Sequence, residues 1–381
     1  MVSNTSWSVY NFRLGLIRRL KELGYEVLVI APKDSFSTKL ISEGFSYINL
    51  YVDNYGTNPF QDFKTLRQLH KIYRKNKIDL IFHYTIKPNI YGSLAAAWCK
   101  IPSIAVTTGL GRLFVYKNPL VKFMATNFYR LAANLSKEVW FLNESDQTVF
   151  IEKKIVAPEK AFLLNSEGVN IQWFKPKRSQ PRNTNKVKFL FAGRIIWDKG
   201  LAAFAEAAKA IKQSHPEATF QLLGFVDESN PNAVSIDQIE RWQKEKIINY
   251  LGETSDVRPF LEEAGCLVFP SFYKEGISRI LLEASSMAIP IITTNHVGCK
   301  EIVEDGFNGL LCEPQNSADL ISKIGQFLGM SSAARHQLGL NGRKKVINEF
   351  DEELVIKQYL EVIGKLLRVK QPSKKDQSSV K

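Results

Sequence analysis

CLVFPSFYKEGISRILLEASSMAIPIITT, residues 266–294, reads as strand, turn, helix and strand in that order. Cys266–Phe269 is a short apolar run closed by Pro270, as a buried parallel strand would be, because proline cannot donate into a strand ladder. Ser278 stands at the N-cap position of a helix that runs through Ile280, Leu281, Leu282 and Ala284 to about Met287. Pro290 stops that helix, and Ile291–Thr294 is the next strand.

The same stretch carries two acids, Glu275 and Glu283, eight positions apart around the helix start. A helix N-terminus presents free N–H groups and a partial positive charge, so the turn Gly276, Ile277, Ser278, with Arg279 beside it, can hold a phosphate. Glu275 lies just outside the turn, where it can accept from sugar hydroxyls. Glu283 lies inside the helix, and a carboxylate is a good acceptor for a ribose diol. The plain alternative is two solvated glutamates on an ordinary helix. A second element supports the richer reading. Strand 187–192 runs into Gly193-Arg194, then Asp198-Lys199-Gly200 and an alanine-rich helix. Arg194 can fork onto phosphate oxygens and Lys199 adds a point charge; the alternative is a pair of surface cations.

Upstream, helices and strands alternate: helix 11–23, strand 26–31, helix 37–43, strand 47–50, a basic helix from Asp62, strand 79–83, helix 89–100, strand 103–107, helix 120–135 and strand 138–142. Such alternation predicts a doubly wound parallel sheet. A polar linker, 175–185, leads to the second alternating set. Loops at strand C-terminal ends are where such sheets bind ligands. In the first half these are Tyr84-Thr85-Ile-Lys87-Pro88-Asn89 and Thr107-Thr-Gly109-Leu-Gly111-Arg112. Lys87 and Arg112 can meet a diphosphate, and His83 can touch hydroxyls or serve as a satisfied core residue.

The GR…DKG loop followed by EGISRILLEAS, IPIITT and GCKEIVEDGFNGLL resembles the family 4 retaining glycosyltransferases. That resemblance implies the GT-B fold, two Rossmann-like α/β domains facing across a cleft. Residues 1–174 would bind the acceptor and 186–350 the nucleotide-sugar donor. A closing helix at 352–367 would pack back on the first domain, leaving a polar, basic, disordered tail at 368–381. It implies that Arg194 and Lys199 hold the donor diphosphate, Glu275 meets the donor sugar and Glu283 binds the ribose. Asp198 stands where Glu is more usual, and Ser278-Arg279 where many members have Gly or Pro. The T-x-K-P-N pattern (Thr85, Lys87, Asn89) and G-L-G pattern (from Gly109) resemble the branch that extends sugars on polyprenyl diphosphate carriers. A hexose or N-acetylhexosamine from UDP, passed to such a lipid-linked glycan, is the expected reaction. A sugar-nucleotide epimerase of the same fold and a subunit that only binds nucleotide sugar are the alternatives. Relatives open with a full first strand, whereas only Met1-Val2-Ser3 precedes the segment from Asn4, so most of that strand is expected to be missing.

Composition sets the outer limits. With 381 residues, 45% hydrophobic and 23% charged, the chain has room for two globular domains. No run approaches the ~20 apolar residues that span a bilayer. Four cysteines (Cys99, Cys266, Cys299, Cys312) show no metal or disulfide spacing, and a reducing cytoplasm is expected. No Asp-x-Asp pair suggests a bridging metal, so no metal cofactor is expected. Residues 1–175 carry 23 Lys and Arg against 13 Asp and Glu, although the whole chain is only +13. No nucleic-acid-binding motif accompanies this charge, and an anionic membrane face fits it better. Two stretches, FKTLRQLHKIYRKNK from Phe63 and KNPLVKFMATNFYRLAANLSK from Lys117, set apolar stripes beside basic residues, as interfacial helices do.

Overall fold

The computed structural model describes every residue except 55, 57, 110–118, 178–185, 229, 275 and 368–381, together with the side chain of 121. In the first half β1 (Leu28–Ala31) and β2 (Ser46–Asn49) pair in parallel. Strands β3 (Ile81–Tyr84), β4 (Ser103–Thr107), β5 (Glu138–Phe141) and β6 (Ala161–Leu163) form a parallel sheet in chain order. Val2 joins the two pieces, bridging Ile30 on one side and His83 on the other. Its N–H donates to the Phe82 carbonyl at 2.8 Å, and its carbonyl accepts from Tyr84 at 2.9 Å. Met1–Ser3 thus lies between β1 and β3: the Ile30 N–H donates to the Met1 carbonyl at 2.9 Å and the Ser3 N–H to the Ile30 carbonyl at 3.0 Å.

The helices of this half are α1 (Ser6–Glu22), α2 (Ser35–Ser42), α3 (Pro59–Lys75), α4 (Ser93–Trp98), α5 (Pro119–Leu135) and α6 (Glu144–Glu152). Helix α1 starts five residues before the apolar pattern suggests, because Thr5 caps it: its Oγ1 accepts from the Ser8 N–H at 3.1 Å. The helix expected over 89–100 is divided. Pro88–Gly92 forms a π-turn before α4, a widening that often marks functional sites. It aims Asn89 into the core, where Nδ2 donates to the Val106 carbonyl (3.1 Å) and the Tyr129 hydroxyl (2.7 Å).

The second half contains β7 (Lys188–Ala192), β8 (Thr219–Leu223), β9 (Asn249–Tyr250), β10 (Cys266–Phe269), β11 (Ile291–Thr294) and β12 (Leu310–Cys312), all parallel, in the order β12-β11-β10-β7-β8-β9. Around it lie α7 (Leu201–Ser214), α8 (Ile236–Lys244), α9 (Arg258–Glu263), α10 (Arg279–Ser286), α11 (Ser317–Gly329) and α12 (Ser332–Glu349). Successive strands run outward one way from β7 and then outward the other way from β10. A crevice therefore opens between their C-terminal ends, which is where doubly wound sheets bind nucleotides. The first half repeats the plan with Val2 and β3 at its switch point. Its two pieces, joined through Val2, make a second Rossmann-like unit, so the α/β architecture implied by the resemblance is present twice.

Aromatic packing fills the second sheet: Phe189, Phe191, Phe204, Phe220 and Phe269 are all buried. Each such side chain contributes about 1.5–3 kcal/mol on burial. Helix α13 (Glu352–Leu367) leaves the second half and packs on the first. Its Val355, Ile356, Tyr359, Val362 and Ile363 share a core with Leu16, Phe82 and Trp140. Ile277, in the loop before α10, packs against this core and against that of the second sheet. The two units are held in contact directly over the crevice.

Candidate active site

Strand β7 delivers Gly193 and Arg194 to the crevice. The Gly193 N–H donates to the Leu223 carbonyl at 3.0 Å, which fixes where Arg194 leaves the sheet. A short turn, Trp197–Lys199, follows, and Gly200 enters α7 with φ +80. A Cβ on Gly200 would lie 2.0 Å from the Pro270 carbonyl oxygen, so glycine is required where this loop meets the end of β10. The Phe272 N–H closes the same contact on the Asp198 carbonyl at 3.0 Å. The consequence is convergence of charge. Arg194 lies 5.4 Å and Lys199 5.2 Å from the centre of the Tyr273 ring, and Lys199 is 5.0 Å from Phe269. Burial pushes the Lys199 ammonium well below lysine's usual range, and the Arg194 charge adds to this; Cys299 and Asp198 act the other way. Two cations beside one aromatic wall form a site that gains from an arriving polyanion.

The loop before α10 forms the opposite lip. Gly276 sits against the first half: its carbonyl accepts from Asn143 Nδ2 at 2.7 Å. A Cβ there would stand 2.7 Å from the Thr108 carbonyl oxygen. Ser278 occupies the N-cap with extended backbone, as its position in the sequence suggests, but its hydroxyl makes no cap bond. That Oγ is buried without a hydrogen-bond partner among the described residues, at the mouth of α10. Arg279 does not face the crevice as an open cation. Its Nε donates to Glu283 Oε1 at 2.9 Å, and its Nη1 donates to the Gly168 carbonyl. Burial raises the Glu283 carboxyl while the Arg279 charge opposes that rise. Glu275 lies outside the described residues.

Across the cleft, Thr85 follows β3 with φ +72, a left-handed conformation unusual for a β-branched residue, and its Oγ1 is buried without a partner among the described residues. Strain of this kind gathers at ligand-binding positions. Gly109, with φ +127, ends the described part of the loop after β4, and Arg112 lies beyond it. Three other candidates are used structurally. His83 is fully buried: Nε2 shares a hydrogen bond with the Tyr73 hydroxyl at 2.9 Å, and burial lowers its pKa to about 3. Lys87 pairs with Asp62 at 2.6 Å, and Tyr91 donates to the same carboxylate at 2.8 Å. Asn89 is spent on the core contacts above, although its Oδ1 has no partner among the described residues.

The structure brings in residues that the sequence reading passed over. Tyr273 supplies the wall for both cations, and Asn143 fastens the Gly276 loop to the first half. Arg13 lies buried with its guanidinium 3.7 Å from the Tyr84 ring and paired to Glu167, and the Tyr84 hydroxyl donates to that of Tyr359 at 3.1 Å. Asn143 alone had a local signal, as the cap residue of Asn-Glu-Ser-Asp opening α6.

Residues 174–345 match the glycosyl transferases group 1 family and residues 1–143 the glycosyl transferase 4-like family. The chain is 30% identical to N,N'-diacetylbacillosaminyl-diphospho-undecaprenol alpha-1,3-N-acetylgalactosaminyltransferase of Campylobacter jejuni, over 96% of this chain and 98% of that one. It is 23% identical to UDP-Gal:alpha-D-GlcNAc-diphosphoundecaprenol alpha-1,3-galactosyltransferase of Escherichia coli, over 88% and 91%. Among solved structures, a Rickettsia africae glycosyltransferase superposes with a TM-score of 0.77 at 20% identity, covering 97% and 98% of the two chains. HepE of Anabaena in complex with UDP gives 0.75 at 20% identity, covering 96% and 98%. The doubly wound pair of sheets, the cationic crevice and these matches along nearly the whole length lead to one conclusion: the protein belongs to the group 1 and 4-like glycosyltransferases of GT-B fold.

Proposed function

We propose that the protein transfers a hexose or N-acetylhexosamine from UDP to a polyprenyl-diphosphate-linked glycan, with retention at the anomeric carbon and without a metal cofactor. The observation that carries this reading is the convergence of Arg194 and Lys199 on Tyr273, in the loops at the C-terminal ends of β7 and β10; in the other half the strained Thr85 stands at the corresponding end of β3. The acceptor hydroxyl oxygen bonds to the anomeric carbon as the bond from that carbon to the diphosphate oxygen breaks. The hydroxyl proton passes to the departing diphosphate. Arg194, Lys199 and the N–H groups at the start of α10 meet the charge that develops there, so the scheme needs no metal ion. The Campylobacter and Escherichia relatives are named for acceptors carried on undecaprenol diphosphate, which supports a lipid-linked acceptor here.

The first half suits such an acceptor. Helix α5 exposes Leu120, Phe123, Met124, Phe128 and Leu131 alongside Lys122 and Arg130, and α3 exposes Phe60 and Phe63 among its basic residues. An apolar face set among cations can lie in an anionic interface, and each basic residue near such a surface adds about 1 kcal/mol. No helix among the described residues is long and apolar enough to cross a membrane, so attachment of the enzyme to the cytoplasmic face would be peripheral. The test is incubation with radiolabelled UDP-sugars, with and without an undecaprenyl-diphosphate-linked sugar. Label passing to lipid only when the acceptor is present supports the reading. An epimerised donor, or binding without turnover, overturns it.

A further inference from the structure

We infer that Arg279 is a positioning residue that ties Glu283 to the hinge between the two halves, coupling nucleotide binding to closure of the cleft. The inference rests on the donor-site reading, in which Glu283 receives the ribose diol.

The chain passes from the first half to the second after β6 and returns just before α13. Both passages meet at one place. Val169 and Asp351 form a parallel bridge, in which the Val169 N–H donates to the Phe350 carbonyl at 2.8 Å and the Glu352 N–H to the Val169 carbonyl at 3.1 Å. Gly168 lies so close that a Cβ on it would stand 2.6 Å from the Glu352 Cα. This crossing is the natural pivot for any change in the angle between the halves.

Arg279 spans from the donor helix to that pivot. Nε holds Glu283 Oε1 at 2.9 Å, one turn along α10, while Nη1 donates to the carbonyl of Gly168, 111 residues away in sequence. The guanidinium carbon lies 5.6 Å from the ring of Phe12 on α1 and 5.9 Å from that of Phe174, which packs in the core of the second half. Its charge also acts on Glu352 and on Arg13, which is itself paired with Glu167. One guanidinium therefore touches the donor helix and the hinge and faces the first half.

A guanidinium is a rigid plane whose donors keep a fixed mutual direction. Leu164 packs in the core of the first half and Val169 in that of the second, so a change of angle is taken up across 165–168 and turns the Gly168 carbonyl relative to α10; both bonds therefore persist over a narrow range of angles. A carboxylate has about four acceptor sites, so the bond from Arg279 leaves capacity for a diol. Ribose binding that fixes Glu283 then fixes Arg279, and through it favours the angle seen here.

UDP is the probe. Its binding is measured by calorimetry, and the radius of gyration by small-angle scattering with and without saturating UDP. The wild type is expected to bind UDP and to become more compact. Arg279→Ala is expected to bind UDP on the order of tenfold more weakly, the size of a typical coupling between sites, with its affinity falling further on acidification. That fall follows because buried Glu283, left with Asp256 as its charged neighbour, takes up a proton more readily. Arg279→Lys retains the pairing with Glu283 but not the fork, so it is expected to recover most of the affinity without the compaction. It also serves if the alanine variant does not fold. Compaction by UDP in Arg279→Lys equal to the wild type, or none in the wild type, overturns the coupling alone. Failure of the wild type to bind UDP, ADP or GDP overturns the donor reading and the coupling with it.

Discussion

Lys199 lies in a place that resists charge, and under the proposed donor reading an arriving diphosphate would offset that cost. With the empty-site pKa held well below 10.5, UDP favours the protonated lysine, so binding takes up a proton above that pKa. UDP affinity is expected to fall as pH rises through the depressed value, short of the ordinary lysine range. Lys199→Arg should flatten this fall, because a guanidinium stays charged; titration calorimetry across pH checks both. Steady-state kinetics test the neighbouring groups. Arg194→Ala and Glu283→Ala are each expected to lower kcat/KM by ~10²-fold, as loss of one preorganised electrostatic contact does. Arg194, Lys199 and Glu283 lie on the turns and helix where local sequence places them, because each is positioned by its own strand or helix. Local sequence was less informative where a side chain's partner lies far along the chain. Lys87 looks available for a diphosphate until Asp62 is folded against it. His83 looks like a cleft residue until Tyr73 covers it. Arg279 could not be assigned without Gly168.

Among the elements, α5 shows the limit of reading an amphipathic pattern. The spacing of Leu120, Phe123, Met124, Phe128 and Leu131 is equally that of a core-facing helix, and only the fold shows that these side chains remain outside. Phe123 is 66% exposed and Phe128 43%, so replacing both by serine should leave the melting temperature nearly unchanged. The same double substitution is expected to weaken partition onto anionic liposomes about tenfold or more, because apolar burial and charge act together in interfacial binding. Flotation at low and high salt measures it. The remaining elements were readable from period and punctuation. Pro270 and Pro290 bracket α10 as expected, whereas the early start of α1 depended on a threonine cap and the π-turn at Pro88 on what Asn89 reaches in the core.

At the scale of the whole molecule, the two sheets are joined at the crevice as well as along the chain. Gly276 carries that contact on its backbone, with no room for a methyl group beside Thr108. Gly276→Ala is expected to hold the halves apart, raising the radius of gyration and lowering kcat about tenfold or more, since small misplacements of reacting groups are costly. Scattering and turnover measured on one preparation check the two effects together. The packing of Ile277 against both cores carries a different implication. A protein built of two similar units invites the exchange of one half for another. In this protein the halves are not interchangeable cassettes. A graft that replaces the first half must also bring a residue able to do what Asn143 does for the Gly276 carbonyl, a backbone that clears Gly276 as Thr108 does, and an apolar seat for Ile277. Without them the hybrid would inherit a loop before α10 with nothing to close on.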